Sequence, residues 1–434
     1  MINCYGLNGE FYKNGMEFES FHEIDNFLNK NLIELNEFPI EAILLIINEY
    51  SKKIAKSREI LRVEGVPFLC FYLKKANMEK QLKLNLGNIE YLNDFVQVED
   101  GKYIKAQPRG VVCHWMAGNV PTLGIYSVLQ SILCKNTNIL RVPLECISEV
   151  YELLVLLDNI HVIYEGSTYS SKVILKNIAL IYFNSSYEHH NSQMSLKADA
   201  RIVWGGDESV KAISILPKKN TCVDLIFGPK YSFAVFDKSA IESDDFEEYL
   251  ENLVTDIIAF KQKGCSSPQV LFLEKSKLPL EKIAQILSGK FEKMLKRYKN
   301  FDLEESIVAK IINKRGEYSL CLDKTLYVSK GLQYTILVDS EIKLEHAITG
   351  RTIFLKQVEE ILEVCPLITK SIQTIGIASK SLEKVIDFTS KVTVLGVDRV
   401  VKIGYMNFYD SPWDGSLIMS ELVRWCSLNI NGMI

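Results

Sequence analysis

The chain reads as an α/β protein built on a mostly parallel sheet with helices on both faces, and three observations predict this. From Gly110 onward, short β-branched runs alternate with helical segments at βα spacing. Farther along, a helical stretch and a wholly apolar run are joined by one short loop, Gly264-Cys265-Ser266-Ser267. The 434 residues are 47% hydrophobic and 24% charged, which is enough apolar material for two or three domains with a core each.

The first hundred residues carry two amphipathic helices, Phe21 to Leu35 and Pro39 to Lys56, and an apolar run from Val66 to Lys74 that periodicity leaves open as to type. Nothing in them suggests chemistry. The pattern changes near Gly101. Gly110 to His114 is a strand, Val120 to Cys134 a helix, Asn138 to Val142 a strand and Cys146 to Leu157 a helix. Strands follow at Asn177 to Phe183 and at Arg201 to Trp204, the second running into Gly205-Gly206 and a helix. Asp244 to Gln262 then places Phe246, Tyr249, Leu250, Leu253, Ile257 and Phe260 at helical spacing, and Gln269 to Glu274 is a buried strand. Gly264 suits the end of that helix and Pro268 stops its continuing, so Cys265 is expected in a sharp, backbone-rich turn.

Composition narrows the function. A net charge of -4 gives no electrostatic case for nucleic acid. The ten cysteines lie far apart without a Cys-x-x-Cys, so neither a zinc site nor a disulfide framework is signalled, and reduced thiols in the cytoplasm fit best. No basic, apolar and cleavable segment opens the chain, and no run of about 18 apolar residues offers an integral membrane span. His189-His190 lacks the His-Glu-x-x-His spacing of a metal site, so no metal is expected there. Cys222 reads as a packed core thiol.

Ligands of parallel sheets bind beyond the carboxyl ends of the strands. The chemically unusual residues fall there. Asn119, in Gly118-Asn119-Val120-Pro121, is either a helix cap with Pro121 in the first turn or an amide donor for a developing oxyanion. Arg141 and Pro143 are either a solvated base and a strand terminator or a cation and a rigid turn facing a ribose or phosphate. Gly205-Gly206 is either a tight turn or a place where backbone approaches a diphosphate. The Gly-x-Gly-x-x-Gly fingerprint and the Walker loop are both absent. Cys265 is a core thiol by default and a nucleophile if its turn exposes it.

Read together, Cys113-His114-Trp115-Met116-Ala117-Gly118-Asn119-Val120-Pro121, Trp204-Gly205-Gly206-Asp207, Gly228-Pro229-Lys230-Tyr231-Ser232-Phe233, Gly264-Cys265-Ser266-Ser267-Pro268-Gln269 and Trp413-Asp414-Gly415 before Leu422-Val423-Arg424-Trp425 resemble the acyl-CoA reductase family of the bioluminescence fatty acid reductase, LuxC, within the aldehyde dehydrogenase superfamily. The motifs run in order from about Ile104 to Trp425. The resemblance implies an aldehyde dehydrogenase-like fold. Residues 1–100 form a mostly helical segment packed on the cofactor domain, and residues 101–230 a Rossmann-type NADP-binding domain. Residues 231–405 form the α/β catalytic domain, and residues 406–434 a C-terminal return used in oligomerisation.

The resemblance makes Cys265 the acyl acceptor and Asn119 part of an oxyanion hole with the cysteine's backbone N–H. Arg141 stands where the superfamily carries a lysine beside the adenosine ribose, followed by Pro143, and Gly205-Gly206 on its cofactor turn. Ile226 occupies the place of the glutamate that activates water in oxidising aldehyde dehydrogenases. Without that base hydrolysis should be slow, and reduction of an acyl thioester to a fatty aldehyde becomes the implied direction. NADPH is the cofactor implied, with NADH the alternative. The implied substrate is an acyl-CoA or an acylated partner protein, with an acyl-activating synthetase or transferase as partner and a homo-oligomer as the assembly. Two other readings stay open: a cofactor-independent cysteine acyltransferase or thioesterase, and a non-catalytic scaffold subunit of a reductase complex. No group is assigned to ionise Cys265, and a helix C-terminus just before it would raise its pKa.

Overall fold

The computed structural model describes residues 1–296 and 302–431. The chain forms two compact units, Met1–Gly228 with Tyr409–Ile434 and Pro229–Phe408.

The first unit contributes strands β1 (Ile2–Leu7), β2 (Glu10–Phe18), β3 (Val96–Glu99), β4 (Lys102–Pro108), β5 (Val111–Trp115), β6 (Thr137–Arg141), β7 (His161–Tyr164), β8 (Ser167–Ser170), β9 (Ile178–Tyr182), β10 (Ala200–Trp204) and β11 (Val223–Phe227). Seven of them form a sheet in the order β11-β10-β5-β6-β9-β1-β2, parallel from β11 through β9. The helices predicted between these strands are present as Thr122–Leu133 and Ile147–Val155. Every residue of β5 and β10 is buried, as parallel strands covered on both faces require.

The amino terminus departs from the helical expectation. Before the helices Phe21–Asn36 and Ile40–Lys56, β1 and β2 pair antiparallel and extend the sheet beside β9. Asn8 and Gly9 both have positive φ, 53° and 76°, the geometry of a two-residue hairpin turn. The Asn-Gly pair was the available signal. The Val66 run is the helix Val66–Tyr72.

An ion pair between a fully buried arginine and a partly exposed aspartate ties the sheet edge together. Arg201 on β10 donates from Nε and Nη2 to the two carboxylate oxygens of Asp224 on β11, both at 2.7 Å, and from Nη1 to Ser195 Oγ at 2.9 Å. Burial pushes the Asp224 carboxyl up, yet Arg201 and Lys218 outweigh it and hold the group below its ordinary range.

The second unit has strands β12 (Tyr231–Phe236), β13 (Pro268–Glu274), β14 (Thr325–Val328), β15 (Thr335–Asp339), β16 (Thr352–Val358), β17 (Ile372–Ala378) and β18 (Arg399–Lys402) in the order β14-β15-β16-β13-β12-β17-β18. All neighbours are parallel except β14 and β15. The seven residues of β13 are all buried, as the apolar run predicted. In the first unit the last strand, β19 (Val423–Asn429), pairs antiparallel with β4, which also pairs with β3. Among the described residues no helix is long and apolar enough to cross a membrane.

Candidate functional site

The first unit gathers its candidate residues at one place in the topology. From β5 the sheet steps to β6 and β9 on one side, and then the chain returns to lay β10 and β11 on the other. Strand order therefore reverses between β5 and β10, and a crevice at the carboxyl ends of such a pair is where parallel sheets take ligands. Asn119 follows β5, Gly205-Gly206 follow β10, and Arg141 and Pro143 close the neighbouring β6.

The loops after β5 and β6 touch. Cys146 Sγ donates to Gly118 O at 3.1 Å, Met116 N donates to Arg141 O at 3.1 Å, and a Cβ on Gly118 would lie 3.6 Å from Pro143 Cβ. Asn119 is exposed in a bend, and the following helix begins at Thr122 with Pro121 at the N-cap position and no side-chain cap. The N-cap position thus falls on Pro121, two residues beyond Asn119. Pro121 already has helical φ and ψ, so the first turn needs no side chain to start it.

Arg141 is mostly buried and turns toward β9. Its Nη2 donates to Phe183 O at 3.1 Å and its guanidinium lies 5.5 Å from the Phe183 ring, while its buried Nε has no protein partner. Burial lowers its pKa. Trp204, ending β10, stacks on Phe227 with ring centroids 4.0 Å apart, and its buried indole N–H also lacks a partner. Gly205 N donates to Phe227 O at 3.2 Å, and a Cβ on Gly206 would meet nothing within 4 Å. Two orphaned donors and open space above Gly206 fit a polar ligand with several acceptors, as a nicotinamide dinucleotide is. The helix Asp207–Ser214 itself adds little to anion binding, because Asp207 and Glu208 already place carboxylates in its first turn. Ile226 is 36% exposed on β11 between the buried Leu225 and Phe227.

In the second unit the sequence expectation for the helix end fails while the turn it was meant to produce is present. The helix Phe246–Ile258 stops four residues early, and Phe260, Lys261 and Gln262 take left-handed φ values of 53°, 51° and 63°. Gly264 has no positive φ and does not end the helix. Three consecutive left-handed L-residues cost about 1 kcal/mol or more each. Buried polar contacts offset that cost.

Gln262 is fully buried and its amide is used three times. Nε2 donates to Pro268 O at 2.8 Å and Thr352 O at 2.7 Å, and Oε1 accepts from Thr352 N at 2.8 Å, which clamps the loop to the starts of β13 and β16. Past it, Ser267 N donates to Gly264 O at 3.0 Å, closing a four-residue turn with Cys265 at its second position. Ser232 Oγ on β12 donates to Cys265 O at 2.7 Å. Ser266 and Ser267 donate from Oγ to Asn407 Oδ1 at 2.9 and 3.4 Å, and Asn407 Nδ2 donates to Asp256 O at 2.8 Å. Cys265 is half-buried while both serines are buried. Lys263 is paired with Glu304.

Sequence reasoning missed Gln262, Ser232, Asn407 and Asp256. Gln262 closes the helix predicted over Asp244 to Gln262, but its role depends on β16, and Asn407 lies far along the chain from the turn it holds. Cys222 is buried, as expected, and burial raises its pKa. His190 packs edge-on against Phe183 and Tyr187. Asp339, Glu341 and Glu345 place carboxylate oxygens within 4.8 Å of one another, but Lys356 bonds Asp339 and Glu345 at 2.6 and 3.0 Å and supplies the cation.

Comparison with known proteins gives a consistent result. The model of the family described as "Acyl-CoA reductase (LuxC)" matches residues 35–425. The "Long-chain acyl-protein thioester reductase" of Aliivibrio fischeri is 27% identical over 397 residues, covering 88% of this chain and 76% of that protein. Its namesake in Photorhabdus luminescens is 23% identical over 393 residues, with the same two coverages of 88% and 76%. Among solved structures, the Delta-pyrroline-5-carboxylate dehydrogenase of Mycobacterium tuberculosis superposes with a TM-score of 0.65 at 11% identity, covering 99% of this chain and 86% of that one. Lactaldehyde dehydrogenase of Escherichia coli gives 0.64 at 10% identity, with 98% of each chain covered. The fold is that of the aldehyde dehydrogenases.

Proposed function

The chain belongs to the acyl-CoA reductase (LuxC) family, and from that premise we propose that it reduces a long-chain acyl thioester to the aldehyde through an acyl group carried on Cys265. The observation that carries the reading is the turn itself. A half-buried thiol stands at the second position of a turn whose neighbours are buried and hydrogen-bonded to three separate elements, an arrangement that orients a nucleophile. The names of the relatives support a protein-bound acyl donor, and the family description supports a coenzyme A thioester; both donors present the same carbonyl to the thiol.

In this mechanism the Cys265 thiolate attacks the thioester carbonyl carbon. The new carbon–sulfur bond forms as the bond to the carrier sulfur breaks, and the carrier leaves as a thiolate. The Asn119 amide and the Cys265 backbone N–H are assigned to the tetrahedral oxyanion on the motif resemblance, and loss of one such donor typically costs about 2.7–4 kcal/mol. NADPH, when bound, would supply the hydride that takes the thioacyl carbon to the aldehyde level, and Cys265 would return as the thiolate when its carbon–sulfur bond breaks and the aldehyde leaves. Arg141, Trp204 and the Gly205-Gly206 backbone would hold the cofactor, a reading supported by the two unpartnered buried donors and the open space at Gly206. Ile226 offers no base to activate water, so the acyl group waits for hydride rather than hydrolysis.

The test is incubation with a panel of acyl-CoAs of increasing chain length and NADPH, following loss of NADPH absorbance and identifying the product. Aldehyde formed in proportion to NADPH consumed supports the reading. Release of free acid or of coenzyme A without NADPH consumption would assign the chain to thioester hydrolysis or transfer instead.

A further inference from the structure

The second unit contains a buried hydrogen-bond chain that ends on the nucleophile turn and that the mechanism above does not use. Asp256, on the helix Phe246–Ile258, is 1% exposed. Its carboxylate accepts from Gly404 N at 2.6 Å and Met406 N at 3.2 Å, one donor to each oxygen. That grip bends the segment after β18 back on itself and requires Gly404, at φ 93°, where an added Cβ would come 3.0 Å from Asn252 Cβ. The segment then delivers Asn407, whose Nδ2 is held by Asp256 O at 2.8 Å. With the donor side fixed, Oδ1 points in one direction and accepts from Ser266 and Ser267, the two residues that follow Cys265.

We infer that Asn407, fixed by Asp256, is a positioning residue that holds the Cys265 turn in its attacking geometry; this rests on Cys265 being the acyl acceptor. Asn407 touches neither the thiol nor the reacting carbon. Its effect passes through the serine side chains, the nearer hydroxyl being Ser266 Oγ at 2.9 Å, and adds to the hold of Ser232 on Cys265 O. Gly264 fits the same constraint. A methyl there would lie 3.3 Å from Ser267 Oγ, crowding one of the two hydroxyls, and would reach Asn407 Oδ1 at contact distance, 3.6 Å. Among the described residues, Asn407 Oδ1 is the side-chain acceptor of both hydroxyls.

The inference is tested by single-turnover acylation of the full chain with a long-chain acyl-CoA, following the acyl adduct by intact-protein mass spectrometry. Asn407→Ala should slow acylation roughly 10- to 100-fold, the range expected when a reacting group is displaced by about an ångström. The concentration of acyl-CoA giving half-maximal rate should change less than about 2-fold, because no substrate contact is lost. Ser266→Ala, the milder change, should also slow acylation, and in the Asn407→Ala background it should add nothing, since both act through one hydrogen bond. Purely structural roles would lower the unfolding temperature, leave the rate per folded molecule unchanged and combine additively. Wild-type acylation rates in Asn407→Ala and Ser266→Ala, alongside an inert Cys265→Ala, overturn the inference alone. Undiminished acylation of Cys265→Ala overturns the nucleophile reading and the inference with it.

Discussion

At the residue scale, the informative feature is which chemistry each site can no longer do. Ile226 is an apolar side chain, 36% exposed on β11, and in the proposed function it takes, on the motif resemblance, the place of the water-activating base of an oxidising aldehyde dehydrogenase. Ile226→Glu should therefore introduce slow hydrolysis of the acyl enzyme, seen as free acid released after single-turnover acylation without NADPH. An unchanged rate of acid release would remove Ile226 from that position. Residue type and loop placement brought forward Cys265, Asn119, Arg141 and Gly205-Gly206 as candidates. The residues that hold the Cys265 turn gave no such signal. Gln262 and Asn407 are ordinary polar residues whose meaning lies entirely in partners distant in sequence, Thr352 for one and Ser266 for the other. No local pattern encodes that.

At the scale of elements, the segment Phe260–Gln262 sets a strained backbone against a buried clamp. Lys261 is exposed and left-handed at φ 51°, so Lys261→Gly should stabilise the protein by up to about 1 kcal/mol, measured by denaturant unfolding. Gln262→Ala should act in the opposite direction and cost about 2–4 kcal/mol, because it removes three buried hydrogen bonds and leaves Thr352 N only its longer bond to Thr349 O at 3.2 Å. Equal effects of the two changes would mean that the strain is not held by the clamp. Strand periodicity placed β5, β6, β9, β10 and β13 within a residue or two, since continuous apolar runs leave little choice. Helix ends were read less well. Gly264 drew the expected end of the helix forward, whereas tertiary contacts of Gln262 break it at Ile258.

At the scale of the whole molecule, each unit buries a group whose titration bears on stability between pH 4 and 8, and the two respond to pH in opposite senses. In the first unit His114 is fully buried, bonded to Ser127 Oγ at 2.8 Å and Asn138 Oδ1 at 3.0 Å, and burial lowers its pKa to about 4 while Asn138 opposes. An imidazole kept neutral in the fold but protonated when unfolded contributes stability above about pH 6.5 that is lost as pH falls toward 4. In the second unit burial raises the Asp256 carboxyl to about 7, against the pull of Gly404, Met406, Asn407 and Arg399. Its contribution is greatest below the ordinary carboxylate range and declines as pH rises through 7. Unfolding measured from pH 4 to 8 should show His114→Gln losing less stability than the wild type toward acid, and Asp256→Asn carrying a larger penalty at pH 5 than at pH 8. Parallel curves for a variant and the wild type would contradict the corresponding assignment. Neither group was visible as unusual in the sequence, because burial by strands and helices from elsewhere in the chain creates the shift.

The central claim, that Cys265 accepts an acyl group destined for reduction, is tested most directly by mass spectrometry of the protein mixed with a long-chain acyl-CoA. The account predicts one acyl adduct on the peptide containing Cys265, none in Cys265→Ala, and loss of the adduct as fatty aldehyde when NADPH is added. An adduct that persists in Cys265→Ala, or that leaves the wild type as free acid with NADPH unconsumed, would contradict it.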